Sequence, residues 1–163
     1  MNTNHNQGFS LIELLIVVAI IGIIAAIAVP NLMAARRAAN EGSTQSALRS
    51  IHSAEVTYQA TTGHGNFGSM NELSSANLVD LALSTNVKSG YRYVVTEIDA
   101  VPGVSLATFK VTSNPTITSG VSQTGARKFG MRHDGVMHGQ ADSLAVPLTD
   151  AELALTTNVL GNN

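Results

Sequence analysis

The most informative side chain in the sequence is a single carboxylate, Glu13. It is the one ionisable residue in an otherwise apolar run from Leu11 to Val29. An acidic side chain at the centre of a membrane helix costs ~2.5–3.5 kcal/mol on insertion scales, and the cost falls towards the helix ends. Because Glu13 lies near one end of the run, it either reaches the membrane interface or pairs with a positive group.

The segment that precedes the run carries a recognisable pattern. Residues 7–13 read Gln-Gly-Phe-Ser-Leu-Ile-Glu and lead directly into the apolar residues. This pattern resembles the prepilin processing site of type IV pilins and type II secretion pseudopilins, in which a polar leader ends in Gly, Phe follows, and Glu is the fifth mature residue. Pro30 also lies where many members of that family carry a helix-bending proline.

The resemblance implies how the precursor is processed. A membrane-embedded aspartic peptidase would cut on the cytoplasmic side after Gly8, release a leader peptide of residues 1–8, and N-methylate Phe9. A glycine at the cut leaves the extended backbone open to close approach by the peptidase. The new amine on Phe9 would pair with Glu13 of an adjacent subunit, so that two costly membrane charges neutralise each other. Glu13 would then drive subunit addition and set its register.

The apolar run must hold these groups in a membrane. Its length fits a bilayer core, which ~20 helical residues span. A secretory signal peptide is the alternative, but residues 1–8 carry no Lys or Arg, and the apolar part of a signal peptide usually has only ~7–15 residues. Arg36 and Arg37 follow the run, so counting positive charges alone would place the C-terminal side in the cytoplasm. We give the processing motif more weight and place the C-terminal domain outside the cytoplasm.

We expect the helix to continue well beyond the membrane. Residues 9–30 would form the transmembrane and assembly helix, and residues 31–61 its continuation on the head, for roughly 75 Å in total. Pro30 removes a backbone donor and predicts a bend or local melting. Residues facing the head then recur at helical spacing: Leu48, Ile51 and Tyr58. Four charged residues of this continuation indicate either contacts between subunits or a solvated helix face: Arg36, Arg37, Glu41 and Arg49.

Residues 62–163 predict a globular head, which makes the chain α+β: a long N-terminal α-helix, half of it transmembrane, with a small antiparallel sheet of about four strands. The strands are expected at Tyr91–Ile98, Leu106–Thr112, Phe129–Arg132 and Val136–His138, with Asp134-Gly135 as a hairpin turn. Ser69 and Glu72 have capping-box spacing and predict a short helix. Residues 120–127 predict an exposed connection. The tail residues Leu153, Leu155, Val159 and Leu160 predict cover for a sheet edge.

Motifs for catalysis or cofactor binding are weak. Residues 63–68 spell G-x-G-x-x-G, but they follow a long helix rather than a strand, so they predict an exit loop. His133 and His138 flank the hairpin turn without zinc-binding spacing and are expected to be exposed. The sequence has no cysteine and a formal net charge of -2, which excludes thiolate chemistry and disfavours a nucleic-acid surface. We therefore expect a protein that is not an enzyme and has no metal or cofactor site.

These observations favour a structural subunit of a type IV pilus, nearest to the cysteine-free pilins, that polymerises into a surface filament for motility, adhesion or DNA uptake. A pseudopilin of a type II secretion system is the alternative, and a single-pass membrane-anchored binding module is a more distant one. The resemblance implies several partners: other copies of the chain, minor pilins, the prepilin peptidase, and an inner-membrane assembly platform with its ATPase. It also implies a single-pass precursor in the bacterial inner membrane, followed by an extracellular pilus or a periplasmic pseudopilus.

Overall fold

The computed structural model describes residues 9–141, 144–155 and 159–160. The chain divides into two compact units, one ending at Ala35 and the other beginning at Arg36. The first unit holds the apolar part of one long helix. The second holds the rest of that helix, an antiparallel sheet and several short helices. The fold class is therefore α+β, as predicted.

The long helix, α1, runs from Leu11 to Ala60, a length of 50 residues. It is helical at Pro30 and on both sides of it, so the predicted local melting at that residue is not present. A proline inside a helix removes one backbone hydrogen bond, while the turns before and after it keep theirs. The surrounding residues, which include many Ala, Leu and Arg, are good helix formers and support the continuation.

The second half of α1 forms one wall of the hydrophobic core. Leu48 and Ile51 are fully buried and Tyr58 is almost so, as their helical spacing predicted. The sheet and loops supply the other side of this core, chiefly Leu73, Tyr91, Tyr93, Val111 and Phe129. Burying one such side chain contributes about 1.5–3 kcal/mol. The second unit thus has a core of its own.

The sheet has five antiparallel strands in the order β1-β2-β3-β4-β5, and the prediction of about four strands was one short. The bounds are β1 Val87–Lys88, β2 Tyr91–Ile98, β3 Thr108–Pro115, β4 Lys128–Arg132 and β5 Met137–Gln140. Each strand pairs with the next one along the chain, so the sheet is a meander. The additional strand, β1, has only two residues, which is too few to show the alternation that identifies a strand in a sequence.

The two central strands, β2 and β3, pair over eight residues each. β2 has the predicted bounds, whereas β3 begins and ends later than predicted. Leu106 is exposed in the connecting loop, and pairing with Tyr91 extends β3 to Pro115. Tyr93 faces α1, where its hydroxyl donates to the Thr44 hydroxyl at 3.3 Å. The next residue, Val94, therefore lies on the opposite face of the sheet.

Short helices flank the sheet: α2 Met70–Ser75, α3 Leu81–Ser84 and α4 Asp150–Ala154. α2 begins with the predicted capping box, in which Ser69 and Glu72 exchange hydrogen bonds. α4 begins with a second capping box, formed by Thr149 and Glu152, and was not predicted. Each capping box satisfies backbone N–H groups that a helix start leaves without partners.

The C-terminal residues cover both a face and an edge of the sheet. Leu153 of α4 is buried against Gly130 of β4, and the Glu152 carboxylate pairs with the buried Lys128 ammonium at 3.1 Å. Val159 forms an isolated antiparallel bridge with His138 of β5. The predicted cover of a sheet edge by the tail is therefore present at Val159.

Candidate processing and assembly site

The start of α1 brings the Glu13 carboxylate back to the residues that precede the helix. Glu13 Oε2 accepts a hydrogen bond from the Ser10 backbone N–H at 2.9 Å. An acid in the first turn of a helix satisfies a backbone donor and interacts favourably with the positive end of the helix dipole. Phe9, the preceding residue, is 83% exposed. The Glu13 carboxylate thus bonds the backbone nitrogen of the residue that directly follows Phe9. Gly8 lies outside the described residues.

The surface that follows Glu13 is almost entirely apolar and uncovered. Every large aliphatic residue from Leu11 to Leu32 is exposed; they are Leu11, Ile12, Leu14, Leu15, Ile16, Val17, Val18, Ile20, Ile21, Ile23, Ile24, Ile27, Val29 and Leu32. By length and composition, α1 is the one helix in the described part of the chain that is long and apolar enough to cross a membrane. A continuous apolar surface of this size needs lipid or other protein to cover it.

Pro30 lies at the end of this apolar surface. Because proline has no backbone N–H, the carbonyl of Ala26 lacks its usual helical partner at this turn. The backbone on both sides of Pro30 remains helical. The helix is therefore continuous here but lacks one of its hydrogen bonds. Such a position is where the helix can bend or lose order when its surroundings change.

Comparisons with known proteins identify this N-terminal arrangement. Residues 3–29 match the family described as the prokaryotic N-terminal methylation motif. The chain is 43% identical over 54 residues to a type IV major pilin protein PilA of Myxococcus xanthus, and 66% identical over 35 residues to a type IV wide pilus major component, PilA4, of Thermus thermophilus. The N-terminal segment thus carries this methylation motif and is similar to the corresponding part of type IV pilins.

The similarity is concentrated in part of each protein. The two pilin matches cover 33% and 22% of this chain, and 24% and 27% of those relatives. A longer match, 32% identical over 92 residues, covers 55% of this chain and 63% of a type II secretion system core protein G of Escherichia coli. The chain thus matches less than two thirds of the length of each of these relatives. No solved structure matches it.

Within the head of this pilin-like chain, Glu41 has a structural role that the sequence did not reveal. It was predicted to lie on a solvated helix face or between subunits, but it is buried. Its Oε1 accepts from the Ala126 backbone N–H at 2.7 Å, and its Oε2 accepts from Arg127 Nε at 2.9 Å. A carboxylate with both oxygens occupied by charge-assisted hydrogen bonds holds its partners firmly in place.

The same part of α1 holds the connection between β3 and β4. Arg37 Nη1 donates to Gln123 Oε1 at 3.0 Å, and Asn40 Nδ2 donates to the Thr124 carbonyl at 2.8 Å. Gly125 is buried, so the prediction that residues 120–127 form an exposed connection was wrong at Gly125, although Gly120, Val121, Ser122 and Ala126 are exposed. The side chains of Asn40 and Glu41 thus hold this connection through its backbone atoms. Hydrophobic periodicity does not indicate contacts of this kind.

Glu55 is the second acid that the head buries. Its side chain is inaccessible to solvent; Oε2 accepts from the Gly68 backbone N–H at 2.9 Å, and Oε1 has no hydrogen-bond partner among the described residues. Burial is the largest cause that raises the pKa of this carboxyl to about 7, with the nearby Glu97 and Glu72 adding to it. The group is thus poised to change charge near neutral pH.

A sequence signal for both buried acids existed. Glu41 and Glu55 lie seven residues before and seven residues after Leu48, which is about two helical turns in each direction. All three therefore lie on the same face of α1 as the core residues. Extending the apolar stripe in both directions would have placed the two carboxylates inside the head.

The two histidines near the β4–β5 turn have different environments. His133 is exposed, as predicted, but His138 is only 3% exposed and lies in β5, so the prediction for His138 was wrong. Its burial follows from the bridge with Val159, which covers that edge. Across the described residues, His, Asp and Glu side chains form no group of three or more that is placed to hold a metal ion.

Proposed function

We propose that this chain is a structural subunit of a type IV pilus, cut after Gly8 and polymerised through α1 into a surface filament. One observation carries the proposal: the methylation-motif match over residues 3–29 coincides with the exposed apolar part of α1, from Leu11 to Leu32, in which Glu13 is the single acid. A helix meant only as an anchor needs neither the motif nor an acid at this position. The motif and the apolar helix fit an inner-membrane precursor that becomes a pilus or a pseudopilus.

The proposed chemistry of assembly is charge pairing in a low-dielectric environment. Cleavage after Gly8 would convert the amide nitrogen of Phe9 into a charged amine. In an isolated subunit, Glu13 Oε2 already accepts from Ser10 N, so the carboxylate is held close to its own new terminus. An incoming subunit offers a second amine to this carboxylate, and pairing removes two unfavourable charges from lipid. Pro30 supplies the position at which the helix would bend or lose order as the helices pack together.

The pseudopilin alternative also has an observation in its favour. The match to the secretion core protein covers 92 residues, more than the 54 and 35 residues of the two pilin matches. The pilin matches have the higher identities, 43% and 66% against 32%. The proposed assembly chemistry is the same for a pilus and for a pseudopilus. The two functions differ in the final location of the filament, which is the cell surface for a pilus and the periplasm for a pseudopilus.

The partners follow from the proposed function. Other copies of the chain, with or without minor pilins, would cover the exposed aliphatic residues of α1. A prepilin peptidase would act on the junction of Gly8 and Phe9, and an inner-membrane platform with an ATPase would extract the subunit from the membrane. None of these roles requires catalysis by the chain itself.

The deciding experiment is the intact mass and N-terminal sequence of protein sheared from intact cells. A shed species that begins with N-methylated Phe9 is expected for a surface pilus. Mature protein found only in the cell envelope would instead establish the pseudopilin, and an uncut species in place of either would refute processing after Gly8.

A further inference from the structure

The head presents two different surfaces at the two ends of its longest strand pair. β2 is eight residues long and ends at Ile98, where residues 99–107 connect it to β3. At the other end of the pair, residues 116–127 connect β3 to β4. Eight residues of strand span about 25 Å. We call residues 98–106 the hairpin end and residues 116–124 the opposite end.

Both ends expose large aliphatic side chains. At the hairpin end, Val104 is 80% and Leu106 is 87% exposed, with Ile98 and Val101 at least half exposed beside them. At the opposite end, Val121 is 78% exposed and Ile117 is also exposed. Such groups of uncovered aliphatics on a small domain are a feature of contact surfaces.

The two ends carry opposite charge. At the hairpin end, Glu72, Glu97 and Asp99 line one surface pocket, and no Lys or Arg lines it. At the opposite end, Arg37 reaches Gln123, and Arg92 lies next to the start of β2. Neither arginine is in an ion pair with a described acidic residue. A second pocket at the hairpin end includes Lys110, which is paired with Asp150, and Arg132. The four carboxylates of the two pockets outnumber these two basic groups, so the hairpin end is acidic on balance, whereas the opposite end has two arginines without an acidic partner among the described residues.

We propose that the hairpin end of one head docks against the opposite end of the head of a second copy. Aliphatic residues would meet aliphatic residues, while the acidic pocket would meet Arg37 and Arg92. Docking hairpin end to hairpin end would instead bring two sets of carboxylates together, which is unfavourable. A contact between two different surfaces of one chain does not close on itself in a pair and extends to further copies. The inference rests on the proposed function, because it requires a filament of identical subunits.

The absence of cysteine from the chain allows a direct test. The double variant Val104→Cys with Val121→Cys would be assembled in a filament-forming bacterial host, and the sheared filaments treated with a bismaleimide shorter than the ~25 Å between the two ends of one head. Every cross-link then joins two subunits. We expect a ladder of dimers, trimers and longer species from the double variant, and monomers from each single variant.

A matched control replaces Val121→Cys by Leu81→Cys, because Leu81 is 84% exposed and lies outside both ends. The proposal predicts several-fold fewer cross-links in this control pair. Filaments of the double variant that stay monomeric, or that cross-link no more than the control, would overturn it.

Co-expression keeps the test informative if the double variant does not assemble. The two single variants, produced together in one cell with the unchanged chain, should give a cross-linked dimer that contains one copy of each variant, and filaments without that dimer would refute the docking. The N-terminal mass of the same subunits tests the proposed function separately. Filaments with methylated Phe9 but without the cross-link contradict the docking alone, whereas a chain that is never processed or assembled contradicts the filament itself.

Discussion

At the scale of single residues, three carboxylates of α1 have three different environments. Glu13 is exposed at the helix start and bonds the Ser10 backbone. Glu41 is buried, and both of its carboxylate oxygens accept hydrogen bonds. Glu55 is buried, and its Oε1 has no hydrogen-bond partner among the described residues. Three residues of one type therefore serve different structural purposes: Glu13 bonds the backbone at the helix start, Glu41 ties a loop to the helix, and Glu55 titrates near neutral pH.

The Glu13 carboxylate should be needed for assembly and dispensable for processing. Glu13→Ala removes the partner of the neighbouring Phe9 amine but leaves Gly8 intact, so we expect processed protein in the membrane and few filaments. Immunoblots of sheared and membrane fractions measure this. Gly8→Val is the matched variant, because it should leave the precursor uncut. Normal filament yield from Glu13→Ala would contradict the pairing.

Glu55 should make the stability of the head depend on pH. Its pKa in the folded state is raised from 4.5 to about 7, so the folded state binds this proton more tightly than the unfolded state. The resulting stability is fully present below about pH 4.5 and is lost as the pH rises to about 7. We expect Glu55→Gln to be more stable than the unchanged chain at pH 8, by roughly 2 kcal/mol, and similar to it at pH 4.5.

This dependence can be followed in detergent with the whole chain. The sequence has no Trp, and its three tyrosines, Tyr58, Tyr91 and Tyr93, are all buried in the head. Near-ultraviolet circular dichroism therefore reports unfolding of the head and not of the apolar helix. Asp99→Asn is the control, since Asp99 is exposed and is not among the groups that shift the pKa of Glu55. Parallel pH profiles for the unchanged chain and Glu55→Gln would contradict the role of Glu55.

At the scale of elements, the connection between β3 and β4 depends on a close approach between Gly125 and Tyr91. A Cβ at Gly125 would overlap the Tyr91 hydroxyl, which donates to the Arg127 carbonyl at 2.7 Å. Gly125→Ala should therefore displace either the ring or the loop and destabilise the head by about 1–3 kcal/mol.

Urea unfolding of the dispersed chain checks this prediction. Gly42→Ala, on an open face of α1 where a Cβ meets nothing within 4 Å, should stabilise the helix slightly. If Gly125→Ala unfolds at the same urea concentration as Gly42→Ala, the close approach does not constrain the loop.

The elements that sequence patterns predicted are those with a strong local signal. β2 has eight residues that are rich in aromatic and β-branched side chains, and α2 begins with a capping box next to apolar residues. Both elements were therefore predicted. β1 has two residues, and α4 has five residues behind a capping box in a weakly patterned tail, so both were missed. The partner of Glu41, Ala126, lies 85 residues away, and the residue that covers His138, Val159, lies 21 residues away. Helical spacing places Glu41 on the core face, but local patterns identify neither partner.

At the scale of the whole molecule, the core of the second unit lies entirely within it. The buried hydrophobic residues begin at Ala47, while the aliphatic residues of the first unit are exposed. Deleting residues 1–35 should therefore leave a folded, water-soluble head that no longer forms filaments. Its tyrosine circular dichroism and melting temperature should match those of the full chain in detergent within a few degrees. A loss of the tyrosine signal would show that the head depends on the apolar helix.

Both edges of the sheet are unsuited to further strand pairing. β1 offers only two residues at one edge, and Val159 bridges His138 at the other. Long unpaired edge strands invite neighbouring chains to add to the sheet and to form amyloid-like aggregates. The proposed filament would bring many identical heads to very high local concentration, where that hazard is greatest. The short and covered edges would keep the heads from joining sheet to sheet, so that the helices could set the order of the filament.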